Sequence, residues 1–339
     1  MPAHAEATLY PPPSLDFSYA PIEHPLQLTA LRSEEDVFTN TYPLWNPPPG
    51  RALFGGILIG QAIHAAQQTV SPVLVIYNMH CTFHAAPNAL KPLYYHVVRM
   101  GGGRSSVSRE VRAEQDGRVF FSAMCNFYTT GKENPTLHQV KLPQVGQHDM
   151  EAPDKPEKPS TNESALTEQI VLSGFLTFAG PKTTREDVDP FLWKELPVIS
   201  SSDTVPSTNV LHSWTRSRGQ MSSSQTSNIA VLGFLTDSWF LSSFPEVNPK
   251  ATGSYGQHIG FMVTLNHTIW FHDPQVRIDE WLFVKRTSTW AAKGRCLMEQ
   301  QIWGKGAKLA ATCVQEGIVR LKTPQPTKTK GQEVNASKI

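Results

Sequence analysis

A carboxylate in an apolar stretch is the first residue whose position suggests chemistry. Asp237 lies in VLGFLTDSWFL (231–241), sharing a helical face with Phe234 and Leu241. Asp is a poor helix-interior residue, and an unpaired charge among apolar side chains is costly. Either Asp237 begins or ends the helix and caps it, or it is a desolvated carboxylate with polar partners, used as a base. Two later residues are candidate partners. Alternation along 258–272 puts Thr264 on one face with Asn266 and Thr268, and Val263, Leu265 and Ile269 on the other. Gln315 interrupts KLAATCVQEGIV (308–319), where its alternation mates Ala311 and Cys313 are small or apolar. Each alone also fits an ordinary polar residue of a sheet, and spacing does not bring the three together.

Other chemistries lack their residues. There is no GxSxG elbow, no GxxxxGK[ST], no HExxH, and no GxGxxG opening a helix after a strand. His80 and His84 lie four apart in a strand-like run, about 13 Å by the rise per residue, too far to share one metal. His267 and His272 differ by an odd number and should face opposite ways. All four read as hydrogen-bonded structural histidines. Cys81, Cys125, Cys296 and Cys313 are scattered through apolar runs, which points to reduced core thiols. No metal and no cofactor is expected.

Composition excludes further classes. Lys+Arg (30) and Asp+Glu (29) nearly cancel, so no global field argues for nucleic acid or a membrane surface. No apolar run reaches the length of a membrane span, and the N-terminus lacks the basic and apolar regions of a secretory signal. The expectation is a soluble intracellular protein, in which the sequons at Asn162, Asn266 and Asn335 carry no glycan.

The elements that must position these residues come in two sets. Of 27 prolines, ten fall in residues 1–50 and nine in 135–206, which marks an entry arm and a linker. Between them an apolar helix (55–70) precedes strand-like runs at 73–86, 92–100, 105–115 and 118–130, the last two joined by an Asp-Gly hairpin signal. After the linker the order repeats: a helix over 229–243, then strands at 258–272, 280–290, 294–303 and 308–321. A shift of 188 residues superposes Phe83-His84 on Phe271-His272 and Cys125 on Cys313. The expected division is an arm (1–30), a first unit (31–134), a linker (135–205), a second unit (206–322) and a flexible tail (323–339). A nearly all-apolar helix must be buried on most sides, and a curled antiparallel meander supplies that cover. Two such units can join sheets and remove two exposed edges.

LFGGILIGQAIHAA (53–66), GRSSVSREV (103–111), LGFLTDSWFL (232–241), TLNHTIWFHDP (264–274) and ATCVQEGIVR (311–320) resemble, in order, the acyl-CoA thioesterase II family. The resemblance runs from about residue 30 to 322. It implies an α+β double hot-dog, two fused units each with a helix wrapped by an antiparallel sheet, and hydrolysis of acyl-CoA to free acid and CoA. By motif, the family's catalytic Asp falls on Asp237, its Ser/Thr position on Thr264 and its Gln on Gln315. These types suit a water held by Asp237 and fixed by Thr264 and Gln315, with backbone N–H groups receiving the carbonyl oxygen. A direct nucleophile would have to be Thr264, which has no His partner evident in the sequence.

This chain departs from the family in places. Asn266 replaces the usual Asp, and Glu110 follows Arg109 where a second basic residue is common. Ile57 replaces a frequent Gln. Arg109 is a candidate contact for CoA, and Trp239 and Trp290 are candidates to reshape the acyl channel. A hot-dog hydratase would need a GDxNPxH-type string, which is absent. A thioester-binding protein without turnover is the other alternative, since the first unit lacks an Asp in its helix. Expected partners are the acyl-CoA, which could carry a fatty-acyl or a secondary-metabolite group, and further copies of the chain in a homo-oligomer. Ser337-Lys338-Ile339 is one residue from the SKL signal, so a peroxisomal import receptor is a further expected partner, with the cytoplasm as the other address.

Overall fold

The computed structural model describes residues 18–44, 53–129, 138–144, 189–199, 205–253 and 256–322. The first part of the arm, most of the linker, and the tail with Ser337-Lys338-Ile339 lie outside the described residues, as do Asn162 and Asn335. The first half holds the one-turn helix α1 (Glu23–Leu26), β1 (Leu28–Ala30), β2 (Val37–Asn40), α2 (Gly55–Gln67), β3 (Leu74–Phe83), β4 (Tyr94–Gly102), β5 (Ser106–Gln115) and β6 (Arg118–Thr129). The second holds β7 (Phe191–Glu195), β8 (Val210–Ser217), α3 (Gln225–Asp237), β9 (Ile259–Phe271), β10 (Leu282–Ala292), β11 (Arg295–Trp303) and β12 (Leu309–Leu321).

These strands form one antiparallel sheet in the order β1-β2-β4-β5-β6-β3-β9-β12-β11-β10-β8-β7, the same sequence of connections read inward from both ends. The two halves join where β3 pairs with β9, Cys81 opposite His267. This is the double hot-dog, and the expected loss of two exposed edges occurs at that seam. The Asp-Gly hairpin also forms, with Asp116 and Gly117 both at positive φ between β5 and β6.

Both long helices lie inside this sheet. Ten of the thirteen residues of α2 are buried, as are ten of thirteen in α3, so neither helix has a face for solvent. They run antiparallel against each other. A Cβ on Gly56 would stand 2.8 Å from Phe234 O, and one on Gly60 3.0 Å from Ala230 O. The glycines thus let two backbones touch, and one apolar core unites both halves. The closeness places the N-terminus of α2 beside the C-terminus of α3.

Three expectations need correction. The α3 helix runs 225–237 instead of 229–243: Ser224 caps it, accepting from Ser227 N–H at 3.2 Å, and the polar turn QTSN is its true start. The unit boundaries also move. Residues 20–30 belong to the fold, with Ala20, Ile22 and Leu26 in the core, and Glu23 accepting from Ser222 N–H of the second half at 2.6 Å. From the expected linker, β7 pairs with β8 as the last strand of the sheet. Such short edge segments carry too little periodicity to be read. Finally, the internal repeat is not a single shift. His84 N–H reaches Phe120 O and His272 N–H reaches Ala310 O, so the shift is 188 from β3 to β9 and 190 from β6 to β12. Cys125 therefore corresponds to Gln315, not to Cys313.

Candidate active site

Asp237 is the last residue of α3, and the chain turns sharply away behind it. Ser238 is extended, and Trp239 adopts φ +57°, a left-handed conformation that is strained for an aromatic residue. Tertiary contacts hold this turn. Gln300 Nε2 donates to Thr236 O (3.2 Å), Arg286 Nη2 to Ser238 O (3.4 Å), and Trp239 Nε1 to Asp189 Oδ2 (2.8 Å). The two readings of Asp237 thus meet in one residue: it ends a helix, and its carboxylate is buried among polar partners.

Gln315 comes from the inner face of β12. Its Nε2 donates to Asp237 Oδ1 at 2.6 Å and to Thr264 Oγ1 at 3.1 Å, so both amide hydrogens are engaged and the three residues form one cluster. Thr264 reaches that face by a route that alternation missed. Glu316 pairs with Asn266, but Gly317 pairs with Thr264, so Leu265 is an extra residue in the ladder. This bulge breaks the two-residue period and turns Thr264 inward with His267 and Ile269. Asn266 and Thr268 stay on the outer face, bonded to Glu316 and His80. The expected sharing of a face by Thr264, Asn266 and Thr268 is therefore wrong.

The fourth wall comes from the other half. An added Cβ on Gly55 would lie 2.7 Å from Asp237 Oδ2 and 3.0 Å from the Phe83 ring. The carboxylate therefore sits against the start of α2, a thirteen-residue helix with no side-chain cap. The first N–H groups of a helix lack intrahelical partners and carry its positive end, which favours a negative charge there. The same charge at the end of α3 is disfavoured, so α2 and Gln315 must outweigh that repulsion. Cys81, opposite His267 on β3, lies within the field of Asp237. Burial first, and then that carboxylate, raise its thiol well above the usual range and keep it protonated.

The remaining candidates lie elsewhere. Arg109 is buried, and its guanidinium donates to Thr69 Oγ1 (2.8 Å), Thr69 O (2.9 Å) and Ser108 O (2.9 Å). These bonds tie the chain leaving α2 and hold the buried guanidinium within the fold. Trp290 is an exposed residue of β10, under the Arg295 guanidinium on the outer face, and it does not join the cluster. Trp239 follows Asp237 closely, but its indole is committed to Asp189. His84 and His272 bond Ser122 and Thr312 on the outer face, and His267 points inward, so the odd spacing does separate His267 from His272. All four cysteines are free and buried.

The first half carries the same bulge, between Ile76 and Asn78. In it Ile76 takes the place of Thr264, Cys125 that of Gln315, and Gln67, the last residue of α2, that of Asp237. None of the three retains the chemistry. The corresponding start of α3 is closed by Ser224, and Gln225 Nε2 bonds Pro274 O.

Comparison with known proteins bears on the family and the fold. Residues 42–128 match the family model for the acyl-CoA thioesterase N-terminal domain, and residues 152–319 match that for its C-terminal domain. Mouse acyl-coenzyme A thioesterase 8 is 29% identical over 305 residues, covering 88% of each chain. The Saccharomyces cerevisiae peroxisomal acyl-coenzyme A thioester hydrolase 1 is 22% identical over 320 residues, covering 83% of this chain and 90% of that one. Among solved structures, acyl-CoA thioesterase II TesB2 from Mycobacterium marinum superposes with a TM-score of 0.66 at 24% identity, over 90% of this chain and 99% of that one. Two fused hot-dog units in one sheet, with family models matched in order across both, place this chain in the acyl-CoA thioesterase II family, hydrolases of the acyl-CoA thioester bond.

Proposed function

We propose that Asp237, Thr264 and Gln315 orient the water that attacks the thioester. The observation carrying this reading is the double donation of Gln315 Nε2, which fixes a buried carboxylate and a hydroxyl about one amide. A thioester carbonyl is already electrophilic, so the work is to place a water and stabilise the oxyanion. Asp237 accepts a proton from the water as it attacks, and Thr264 and Gln315 set the direction of approach. The thiolate of CoA leaves once the tetrahedral intermediate collapses. The uncapped N–H groups at the start of α2 receive the oxyanion, where the positive end of the helix favours it. Thr264 is not the nucleophile in this reading, because among the described residues no histidine hydrogen-bonds to it: the nearest in sequence, His267, is bonded to Thr236.

Phe83 beside Gly55 and Leu241 beside Gly317 make the surroundings apolar, which suits an acyl chain of fatty or polyketide type. The purified protein should release free CoA thiol from a panel of acyl-CoAs of graded chain length. No release from any member would overturn the reading in favour of a binding protein without turnover.

The peroxisome is the address we propose. Ser337-Lys338-Ile339 lies at the end of the chain, and the yeast relative is named as peroxisomal. A fluorescent fusion should collect in peroxisomes, and removing the last three residues should disperse it. If the intact fusion is already dispersed, the tripeptide is not a working signal.

A further inference from the structure

His267 is a buried histidine that the mechanism above does not use. It lies on the inner face of β9 in one cross-strand row with Cys81 of β3 and Gln315 of β12. The residue is 0% exposed, and the Phe240 ring meets it edge-on at 5.7 Å. Its Nε2 lies 3.0 Å from Thr236 Oγ1. The Thr236 hydroxyl has one hydrogen, and donates it to Gly233 O at 2.7 Å. Nε2 must then carry the ring proton and donate to Thr236, and Nδ1 is a buried acceptor without a hydrogen-bond partner among the described residues. Burial pushes the ring down to about 3, so it stays neutral and this tautomer persists at physiological pH.

Thr236 immediately precedes Asp237. Its carbonyl is held by Gln300 and the carbonyl after Asp237 by Arg286, so the backbone around the carboxylate is fixed from β10 and β11. Among the described residues, His267 gives the direct side-chain hydrogen bond from β9, the strand that also carries Thr264, to this turn. We propose that His267 is a positioning residue: its Nε2–H, through Thr236, sets the distance between the end of α3 and the Thr264–Gln315 pair, and so the aim of the Asp237 carboxylate. It touches neither substrate nor water. The inference rests on the proposed role of Asp237.

Three replacements separate the two nitrogens from mere bulk. Gln places its amide nitrogen near the position of Nε2, Asn near that of Nδ1, and Phe fills the space with no donor. His267→Gln should keep kcat within about threefold, whereas His267→Asn and His267→Phe should lose roughly 10- to 100-fold in kcat, with KM changed less than about twofold. A structural role would not produce two further results. The acid limb of the kcat/KM profile should move to higher pH in His267→Phe but not in His267→Gln, because a displaced carboxylate loses its bond from Gln315. Thr236→Val should lose as much kcat as His267→Phe, and the double variant no more than either.

The proposal is overturned if His267→Phe keeps parental kcat, or if His267→Asn outperforms His267→Gln. It is also overturned if the two losses multiply in the double variant. Asp237→Asn in the same series keeps this separate from the underlying reading. Asp237→Asn inactive with His267→Phe intact removes only the positioning role, whereas an active Asp237→Asn removes the base assignment itself.

Discussion

Asp237→Asn is expected to lower kcat about a thousandfold, the range of a lost general base, without lowering the melting temperature. Asn has the shape of Asp, and its remaining oxygen can still accept from Gln315 Nε2, now at 2.6 Å from Asp237 Oδ1. The cluster should therefore keep its geometry and lose only basicity. Stability should hold or rise, since the substitution removes a charge buried at the negative end of α3. The α2 terminus acts in the opposite sense, so the net change is small. KM should change little, because in the proposed mechanism the carboxylate acts on the attacking water and not on the body of CoA. Steady-state release of CoA thiol at saturating substrate, alongside a thermal melt of the same preparation, makes the measurement. Parental kcat in a folded Asn variant would falsify the assignment of Asp237 as base.

Gly55→Ala should cost about a hundredfold in kcat through a single methyl group, the scale of an ångström's misplacement in a catalytic site. Its Cβ would enter 2.7 Å from Asp237 Oδ2 and 3.0 Å from the Phe83 ring. The carboxylate cannot retreat freely, because Oδ1 is tied to Gln315. Retreat of α2 would open the close packing that Gly56 and Gly60 make against the carbonyls of Phe234 and Ala230. Overpacking of this kind destabilises by about 1–3 kcal/mol, partly offset by the higher helix propensity of Ala. Gly101→Ala is the control: nothing lies within 4 Å of its Cβ, so kcat and melting temperature should stay parental. If Gly55→Ala works at the parental rate, the carboxylate is not seated against α2 during turnover.

Several features were legible in residue types and their periods. Two almost wholly apolar helices, each followed by alternating runs, required burial inside curled sheets, because no polar face exists to meet water. The motifs around Asp237, Thr264 and Gln315 carried the family resemblance, and with it the reaction. The short strands β1 and β7 were not legible, since three to five residues at an edge show no usable alternation. Neither was the bulge at Leu265, because a period of two has no means of announcing its own interruption.

Convergence was decided in three dimensions. Asp237, Thr264 and Gln315 are 27 and 51 positions apart along the chain, and only the pairing of β9 with β12 under the end of α3 puts them around one amide. The same holds for Gly55, which belongs to the other half and meets Asp237 because two helices cross at glycines. Arg109 shows the opposite outcome: its residue type suited a phosphate, but its side chain is buried and bonded to Thr69 and Ser108. Local sequence sets what a residue can do within a turn or two, through side-chain chemistry and backbone period. Which groups share a desolvated pocket depends on long-range pairing and close packing, and those belong to the chain as a whole.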